Sequence, residues 1–420
     1  MKKYEKYKHS GIEWIGEIPE HWGIARLKFV GQSIIGITYS PDDVVNEDEG
    51  ILVLRSSNIQ EGKLAFDDCV FVSKEINKKH IVKNGDILLC ARNGSAHLVG
   101  KSAYIDEKNE GTTFGAFMSI VRSSLGKYLF YFFNSTIFKA QTGLFSTSTI
   151  NQLTSDTLDN MSIAFPKSIE EQTAIATYLD RKTAEIDQLI DAKKRLIELY
   201  HEEKTAIINQ AVTKGINPNA KMKDSGIEWL GEIPEHWEVK RLKYFFNLIT
   251  EKKENDLKKI GLENIESNKG SFIETNSDFE GQGVIFRVND ILFGKLRPYL
   301  AKVWLASFEG QAVGDFYVFR SKDNVLPAFA KYRLLDTSFI EITNSSTYGS
   351  KMPRVSWEFI ADLNIAFPPI EEQQSIVNHI EAECSRLDTK IERTQRLIEL
   401  LAEYRTALIS EVVTGKVKVV

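Results

Sequence analysis

SGIEWIGEIPEHWGIARLK, residues Ser10–Lys28, returns as SGIEWLGEIPEHWEVKRLK at Ser225–Lys243, with fifteen of nineteen positions identical. A period of about 200 residues is too long for a solenoid unit and marks a duplicated domain. A second matched pair follows, IAFPKSIEEQ at Ile163–Gln172 and IAFPPIEEQ at Ile365–Gln373. Beyond it, RLIEL recurs at Arg195–Leu199 and Arg396–Leu400, and Ala211-Val212-Thr213 is answered by Val412-Val413-Thr414. Each copy thus has one order: a Trp/Pro/His lead-in, a divergent stretch of about 120 residues, Ile-Ala-Phe-Pro, and a long helix.

The divergent stretches read as mixed α/β. Gly50–Leu54, Gly85–Cys90, Val284–Val288 and Asp290–Phe293 are short apolar runs bounded by turn residues, the signature of strands. Lys127–Gln141 and Ala328–Ile342 have helical spacing with aromatic-rich faces.

Glu170–Asn209 and Glu371–Ser410 each run for 40 residues without Pro or Gly. In the second, an alternating three-four seam holds Val377, Ile380, Cys384, Leu387, Ile391, Thr394, Ile398, Leu401, Arg405, Leu408 and Val412. The first has its equivalent at Ala176, Leu179, Thr183, Ile186, Ile190, Lys193, Ile197, Tyr200, Lys204, Ile207 and Ala211. Such a seam is the sequence form of a coiled coil. The polar interruptions are matched, Lys193 with Thr394 and Lys204 with Arg405, so the helices are expected to pair with each other and to set their register there. The fold class is therefore α/β (mixed α+β). Two duplicated α/β domains are joined by two long helices forming an antiparallel coiled coil, pseudo-two-fold symmetric. The expected boundaries are a first domain at 1–168, a helix at 169–215, a second domain at 216–369, and a helix with tail at 370–420. Forty helical residues make a rod of roughly 60 Å, whereas duplex DNA repeats a face every ~34 Å.

The 420 residues exceed one ordinary core, and 42% hydrophobic with 26% charged residues is ordinary for a soluble globular chain. The apolar run Tyr128–Phe133 is far too short to cross a bilayer. The basic N-terminus leads into Gly-Ile-Glu-Trp and not into an apolar signal segment. Cys69, Cys90 and Cys384 are odd in number and in no metal-ligand spacing, which fits a reducing cytoplasm and argues against a disulfide framework or zinc site. The net charge of −5 is awkward for a nucleic-acid binder. No segment is basic: Lys+Arg against Asp+Glu is 19 to 19 in residues 1–168, 7 to 9 in 169–215, 20 to 21 in 216–369 and 7 to 9 in 370–420. A phosphate-gripping face must then be local, or shared with partners.

The order of lead-in, variable stretch and "P-x-x-EQ" helix start, twice over, resembles the specificity subunits of type I restriction–modification systems across essentially the whole chain. The residues that carry it are Gly16–Trp22 and Gly231–Trp237, with Ile169–Gln172 and Ile370–Gln373. Val53–Ile59 and Gly85–Leu88, with their counterparts Gly261–Ile265 and Asn289–Leu292, also look like family elements. The resemblance implies that each variable domain is a target-recognition domain reading one half of a bipartite double-stranded DNA site. It implies that the helices act as spacer and as docking surface for two methyltransferase subunits, joined by restriction/translocase subunits. S-adenosylmethionine, ATP and Mg²⁺ would be bound by those partners and no cofactor by this chain, which would be non-catalytic and make no membrane contact.

Base reading needs Arg or Lys for guanine and Asn or Gln for adenine, with Ser, Thr and cationic side chains on phosphate. After strand ends, the first domain offers Arg55, Ser57 and Asn58, then Arg92, Asn93, Ser95 and His97, with Gly94 permitting close backbone approach. The second offers Lys295, Arg297 and Tyr299. Polar loops before the Ile-Ala-Phe segments add Ser148 and Asn151, then Ser346, Tyr348, Lys351 and Arg354. The run Lys74, Lys78, Lys79, Lys83 has i, i+4 character and reads as a solvated face or a phosphate patch. Trp14, Trp22, Trp229, Trp237, His21 and His236 recur in both copies and so cannot distinguish two half-sites; packing or subunit docking is the expectation.

No catalytic constellation emerges. Phe367-Pro368-Pro369-Ile370 has the wrong neighbours for an amino-methyltransferase motif, and Phe279–Gly283 precedes a strand-like run where a cofactor-cradling turn should open a helix. The Glu-x-Lys pairs at Glu202–Lys204 and Glu251–Lys253 lack a neighbouring carboxylate, and there is no Walker A loop. Two other readings stand beside the DNA reader: a two-domain protein-binding adaptor without direct DNA contact, and a stand-alone enzyme with an unrecognised site.

Overall fold

The repeated motifs are strand partners. Gly23–Arg26, the end of the first lead-in, pairs antiparallel with Ser162–Phe165, and Glu238–Arg241 pairs in the same sense with Asn364–Phe367. Each lead-in thus fixes where a long helix begins. The computed structural model describes residues 2–145, 152–253, 256–276, 279–349 and 351–419. It divides into two compact units, Met1–Lys194 with Arg396–Val420, and Arg195–Gln395.

In the first unit, β1 (Gly31–Ile35), β2 (Ile87–Cys90), β3 (Ser102–Tyr104) and β4 (Met118–Ser123) form an antiparallel sheet in the order β3-β2-β4-β1. Ile87–Cys90 is buried along its whole length, which is why its sequence is an unbroken apolar run. A second small sheet pairs Thr113–Phe114 parallel to Val53–Leu54. The aromatic-rich segment is not one helix but two, α1 (Gly126–Phe133) and α2 (Thr136–Phe145). Asn134 Nδ2 donates to Phe130 O at 2.9 Å, and Ser135 Oγ, after donating to Phe132 O, accepts from Phe138 N. These side chains satisfy the backbone at the break. The first long helix, α3, spans Ile169–Lys214.

The second unit repeats the plan with β5 (Phe246–Ile249), β6 (Ile291–Gly294), β7 (Val303–Leu305) and β8 (Phe316–Ser321) in the order β7-β6-β8-β5. Its aromatic-rich segment is again split, into α4 (Pro327–Leu335) and α5 (Thr337–Ser345), by Asp336, whose carboxylate caps Phe339 N. The second long helix, α6, spans Ile370–Val413. In each unit the central strand is clamped by a two-pronged ion pair. Arg122 Nε and Nη2 hold Asp86 at 2.8 and 2.6 Å, and Arg320 holds Asp290 at 2.8 and 2.7 Å.

The recurring Glu-Glu-Gln has a physical reason. Glu171 accepts from Trp22 Nε1 at 3.1 Å and lies 2.9 Å from His21 Nε2, and Glu372 makes the same pair of contacts with Trp237 and His236 at 3.2 and 2.6 Å. The following Gln172 and Gln373 donate to Pro166 O and Pro368 O, closing the turn into the helix. Both tryptophans are fully buried, so the packing expectation holds for Trp22 and Trp237. Each unit's core also receives the C-terminal end of the helix that started in the other unit's sequence copy: Leu408, Val412 and Val413 pack with Trp22, and Ala211 and Val212 with Trp237. Gly415, at φ 71°, ends α6 where a Cβ would lie 2.3 Å from Pro19 Cδ, so a side chain has no room there. Beyond it, Lys418 N donates to Lys2 O at 2.9 Å and Tyr7 OH donates to Gly415 O at 3.2 Å, so the tail pairs with the start of the chain.

Every seam position of α3 and α6 is buried or half-buried. In the second unit Lys390 lies over the Tyr200 ring while Lys204 reaches Asp388, so one helix descends as the other climbs, and the pair is antiparallel. The seam cations do not face each other as the matched interruptions suggested. Lys204 pairs with Asp388 at 2.8 Å, and in the first unit Arg405 Nε donates to Asp187 at 2.8 Å. Each of these two cations meets an acid of the other helix, and the two acids occupy equivalent helix positions.

Candidate nucleic-acid interface

The end of the central strand is built on the same plan in both units. Beyond β2, Ala91 N and Arg92 N donate to Phe117 O at 2.9 Å, and Leu153 N donates to Ala91 O at 2.7 Å. Beyond β6, Lys295 N donates to Asp315 O at 2.9 Å, and Val355 N to Lys295 O at 3.1 Å. Three separate segments are thereby tied at one edge. A fourth, the turn after the second-sheet strand, is also shared: Asn58 Oδ1 accepts from Arg55 N and Asn264 Oδ1 from Gly261 N, each at 2.9 Å. The side chains on this common frame differ. Ala91, Phe117 and Gln152 in the first unit stand where Lys295, Asp315 and Arg354 stand in the second.

In the first unit, Asn93 Nδ2 donates to Ser56 Oγ at 3.2 Å, joining the Arg55–Asn58 turn to the Arg92–Ser95 loop. Arg55 lies 2.7 Å from Asp68, and Ser57 is exposed. Arg92 is exposed and stacks over Phe117, its guanidinium 5.3 Å from the ring centroid, and Phe117 is 60% exposed. Ser95 is exposed, its amide donating to Asn93 Oδ1. Arg55, Ser57, Phe117 and Tyr39 line one cleft. Two expected readers are elsewhere. Asn58 is fully buried, its Nδ2 donating to Ala65 O and Asp68 O, so it holds the turn and presents nothing to a base. His97 lines a different concavity with Lys63, Lys101 and Lys139. Ser148 and Asn151 lie outside the described residues. The Lys74–Lys83 run forms no α-helix, only a 3-10 turn at Lys78–His80, so its i, i+4 reading fails.

In the second unit the two candidate segments meet. Tyr348 and Arg354 exchange backbone hydrogen bonds at 3.0 Å, and Arg297 N donates to Pro353 O at 2.8 Å. Arg354 grips Asp315 with two bonds of 2.9 Å, and Lys295 lies 3.8 Å from the same carboxylate and over the Tyr317 ring. Asp315 holds the Arg354 guanidinium above its usual range. Arg297, Tyr299, Tyr348 and Lys351 are exposed. Ser346 is half-buried and donates to Thr343 O, finishing α5. Glu263, exposed, occupies the place of Ser57, on a turn stapled by Lys302 Nζ, which donates to Leu262 O and Ile265 O at 2.7 and 2.9 Å. Burial lowers the Lys302 pKa.

Sequence reasoning passed over Phe117, Glu263 and Asp315. Phe117 and Asp315 lie far along the chain from Arg92 and Arg354, which they meet, and belong to no motif, while Glu263 lies inside the Gly261–Ile265 element without having been singled out. Among the described residues no group of three or more His, Cys, Asp or Glu is placed to hold a metal ion. None of their helices is long and apolar enough to cross a membrane.

Known proteins resemble this arrangement. The profile of the type I restriction modification DNA specificity domain matches residues 19–199 and 234–402. The EcoKI specificity subunit of Escherichia coli is 28% identical over 243 residues, 56% of this chain and 50% of that protein, so the match spans about half the length of that relative. The StySPI specificity subunit of Salmonella potsdam is 26% identical over 89% of this chain and 84% of its own. The putative MjaX specificity subunit of Methanocaldococcus jannaschii is 27% identical over 99% and 98%. Among solved structures, the HsdS subunit from Thermoanaerobacter tengcongensis superposes with a TM-score of 0.56 at 14% identity, covering 95% of this chain and 98% of that one. A chain from a study of assembly and conformational transition of the type I R-M system gives 0.63 at 14%, covering 95% and 99%. At such identity the two structures speak for the fold alone.

Proposed function

Because the chain belongs to the family of the type I restriction modification DNA specificity domain, we propose that it is the non-catalytic subunit that selects the DNA sequence for such an enzyme. Residues 1–168 and 216–369 act as target-recognition domains, each reading one half of a bipartite double-stranded site. The helices at 169–215 and 370–420 act as spacer and as seat for two methyltransferase subunits, with restriction/translocase subunits joining them in the cytoplasm. S-adenosylmethionine, ATP and Mg²⁺ belong to those partners.

One observation carries the reading: a common backbone frame bears different hydrogen-bonding groups in the two units, Arg55, Ser57 and Arg92 against Glu263, Lys295 and Arg354. Different half-sites require that combination, since position comes from the frame and identity from donors and acceptors. Replacing residues 28–160 by the matching segment of another family member, in the assembled methyltransferase, is expected to change one half of the methylated site and leave the other intact. A change in both halves would refute independent reading. Binding by the assembled complex should weaken steeply with salt, because phosphate neutralisation releases counterions; salt-indifferent binding would favour the protein-binding adaptor.

A further inference from the structure

The geometry points to a guanine in each half-site, read in the major groove by one guanidinium per unit, Arg92 in the first and Arg297 in the second. This rests on the specificity-subunit reading above and names what each half of the site must contain.

In the divergent stretch of the first unit, Arg55 lies 2.7 Å from Asp68 and Arg122 is clamped on Asp86. In the second, Arg320 is clamped on Asp290, Arg333 on Asp336 and Arg354 on Asp315. Arg122, Arg320 and Arg354 grip a carboxylate with both prongs, so their forks are filled, while Arg55 and Arg333 each meet one carboxylate oxygen. Arg92, Arg287 and Arg297 remain without a carboxylate partner among the described residues. Arg287 precedes β6, at the opposite end of the strand from the shared frame. Arg92, two residues past β2, and Arg297, three past β6, lie on the frame.

Both are held in place with no carboxylate on the guanidinium among the described residues; Arg297 Nη2 makes one long donation, 3.5 Å, to Lys351 O. Arg92 is braced by its cation–π contact with Phe117, 5.3 Å from the ring centroid, which leaves its N–H donors unoccupied. Arg297 sits in the left-handed backbone region at φ 49°, ψ 64°, before Pro298, with its amide fixed on Pro353 O. A non-glycine residue is kept there only by surrounding structure that fixes it. Guanine is the base whose major-groove edge offers two adjacent acceptors, O6 and N7, to a two-pronged donor.

The test uses the full chain assembled with its methyltransferase subunits, methylating a duplex library randomised at every position of both half-sites. Arg92→Gln should relax a guanine preference at a single position of one half-site, by roughly 5- to 160-fold, with the other half unchanged. Arg297→Gln should do the same in the opposite half. Arg92→Lys and Arg297→Lys keep charge and length but lose the fork. They should lower discrimination while largely sparing binding, and they serve if a glutamine variant does not fold. Preference unchanged in every variant overturns the assignment. So does a uniform loss across all sequences with a salt slope reduced by about one, which marks a phosphate contact. If instead the unaltered complex shows no bipartite preference, it is the specificity-subunit reading that fails.

Discussion

Asn58 and Asn264 show how a polar loop residue can belong wholly to the scaffold. Each is buried, and each uses its amide to fix a turn, accepting from the backbone amide three residues earlier and donating across to a neighbouring segment. Removing the side chain leaves enclosed backbone groups unpaired, at ~1–3 kcal/mol for each that water cannot reach. Asn58→Ala is therefore expected to lower the unfolding free energy by about 2–3 kcal/mol in urea titration, while Asn93→Ala, on the half-exposed side of the same cluster, should cost less than ~1 kcal/mol. Equal losses would contradict the division between frame and reading surface. In the sequence Asn58 looked no different from Arg92, since both follow a strand in a polar turn. The direction an amide points is set by Ala65 and Asp68, which no local pattern reveals. The duplication did hold a clue: Asn58 recurs as Asn264, as Trp22 recurs as Trp237, and what must distinguish two half-sites should not recur.

Among the elements, the long helices were the most legible, because a forty-residue apolar seam has few alternative explanations. The aromatic helices were legible in type but not in number. Their apolar spacing runs on through Asn134 and Asp336, where side-chain hydrogen bonds divide each into two. Asp336 does more than cap α5. It is almost fully buried against Arg333, itself enclosed beneath Trp229, and burial pushes the Asp336 carboxyl up and the Arg333 guanidinium down from their usual ranges. Asp336→Ala would strand a buried cation and uncap a helix, an expected loss of about 3–5 kcal/mol read as a lowered melting temperature. A loss below ~1 kcal/mol would mean that Arg333 finds water or another acceptor. On the helix pair the stakes are smaller. Arg405 and Asp187 are each about a quarter exposed, so a double-mutant cycle should return a coupling of only about 0.5–1 kcal/mol. The exchange Asp187→Arg with Arg405→Asp should recover most of what either change alone removes.

For the molecule as a whole, the duplication made two-unit architecture readable from one nineteen-residue match, whereas the candidate interface was legible only as separate polar loops, because four distant segments build it. The balanced charge of each domain, which argued against nucleic acid, is compatible with the observed distribution, since many cations are neutralised in clamps such as Arg122–Asp86 and Arg354–Asp315 while Arg92 and Arg297 face outward. The meeting of tail and start, Lys418 on Lys2 and Tyr7 on Gly415, has a further consequence. The second unit makes the same step from helix end to lead-in by continuous chain, through the exposed turn around Asn217–Asn219. Topologically the polypeptide is a ring in which one of two equivalent joints happens to be non-covalent. A permuted protein that bridges the existing gap with a short flexible linker and opens at Asn217 should therefore fold to the same two units and keep its sequence preference.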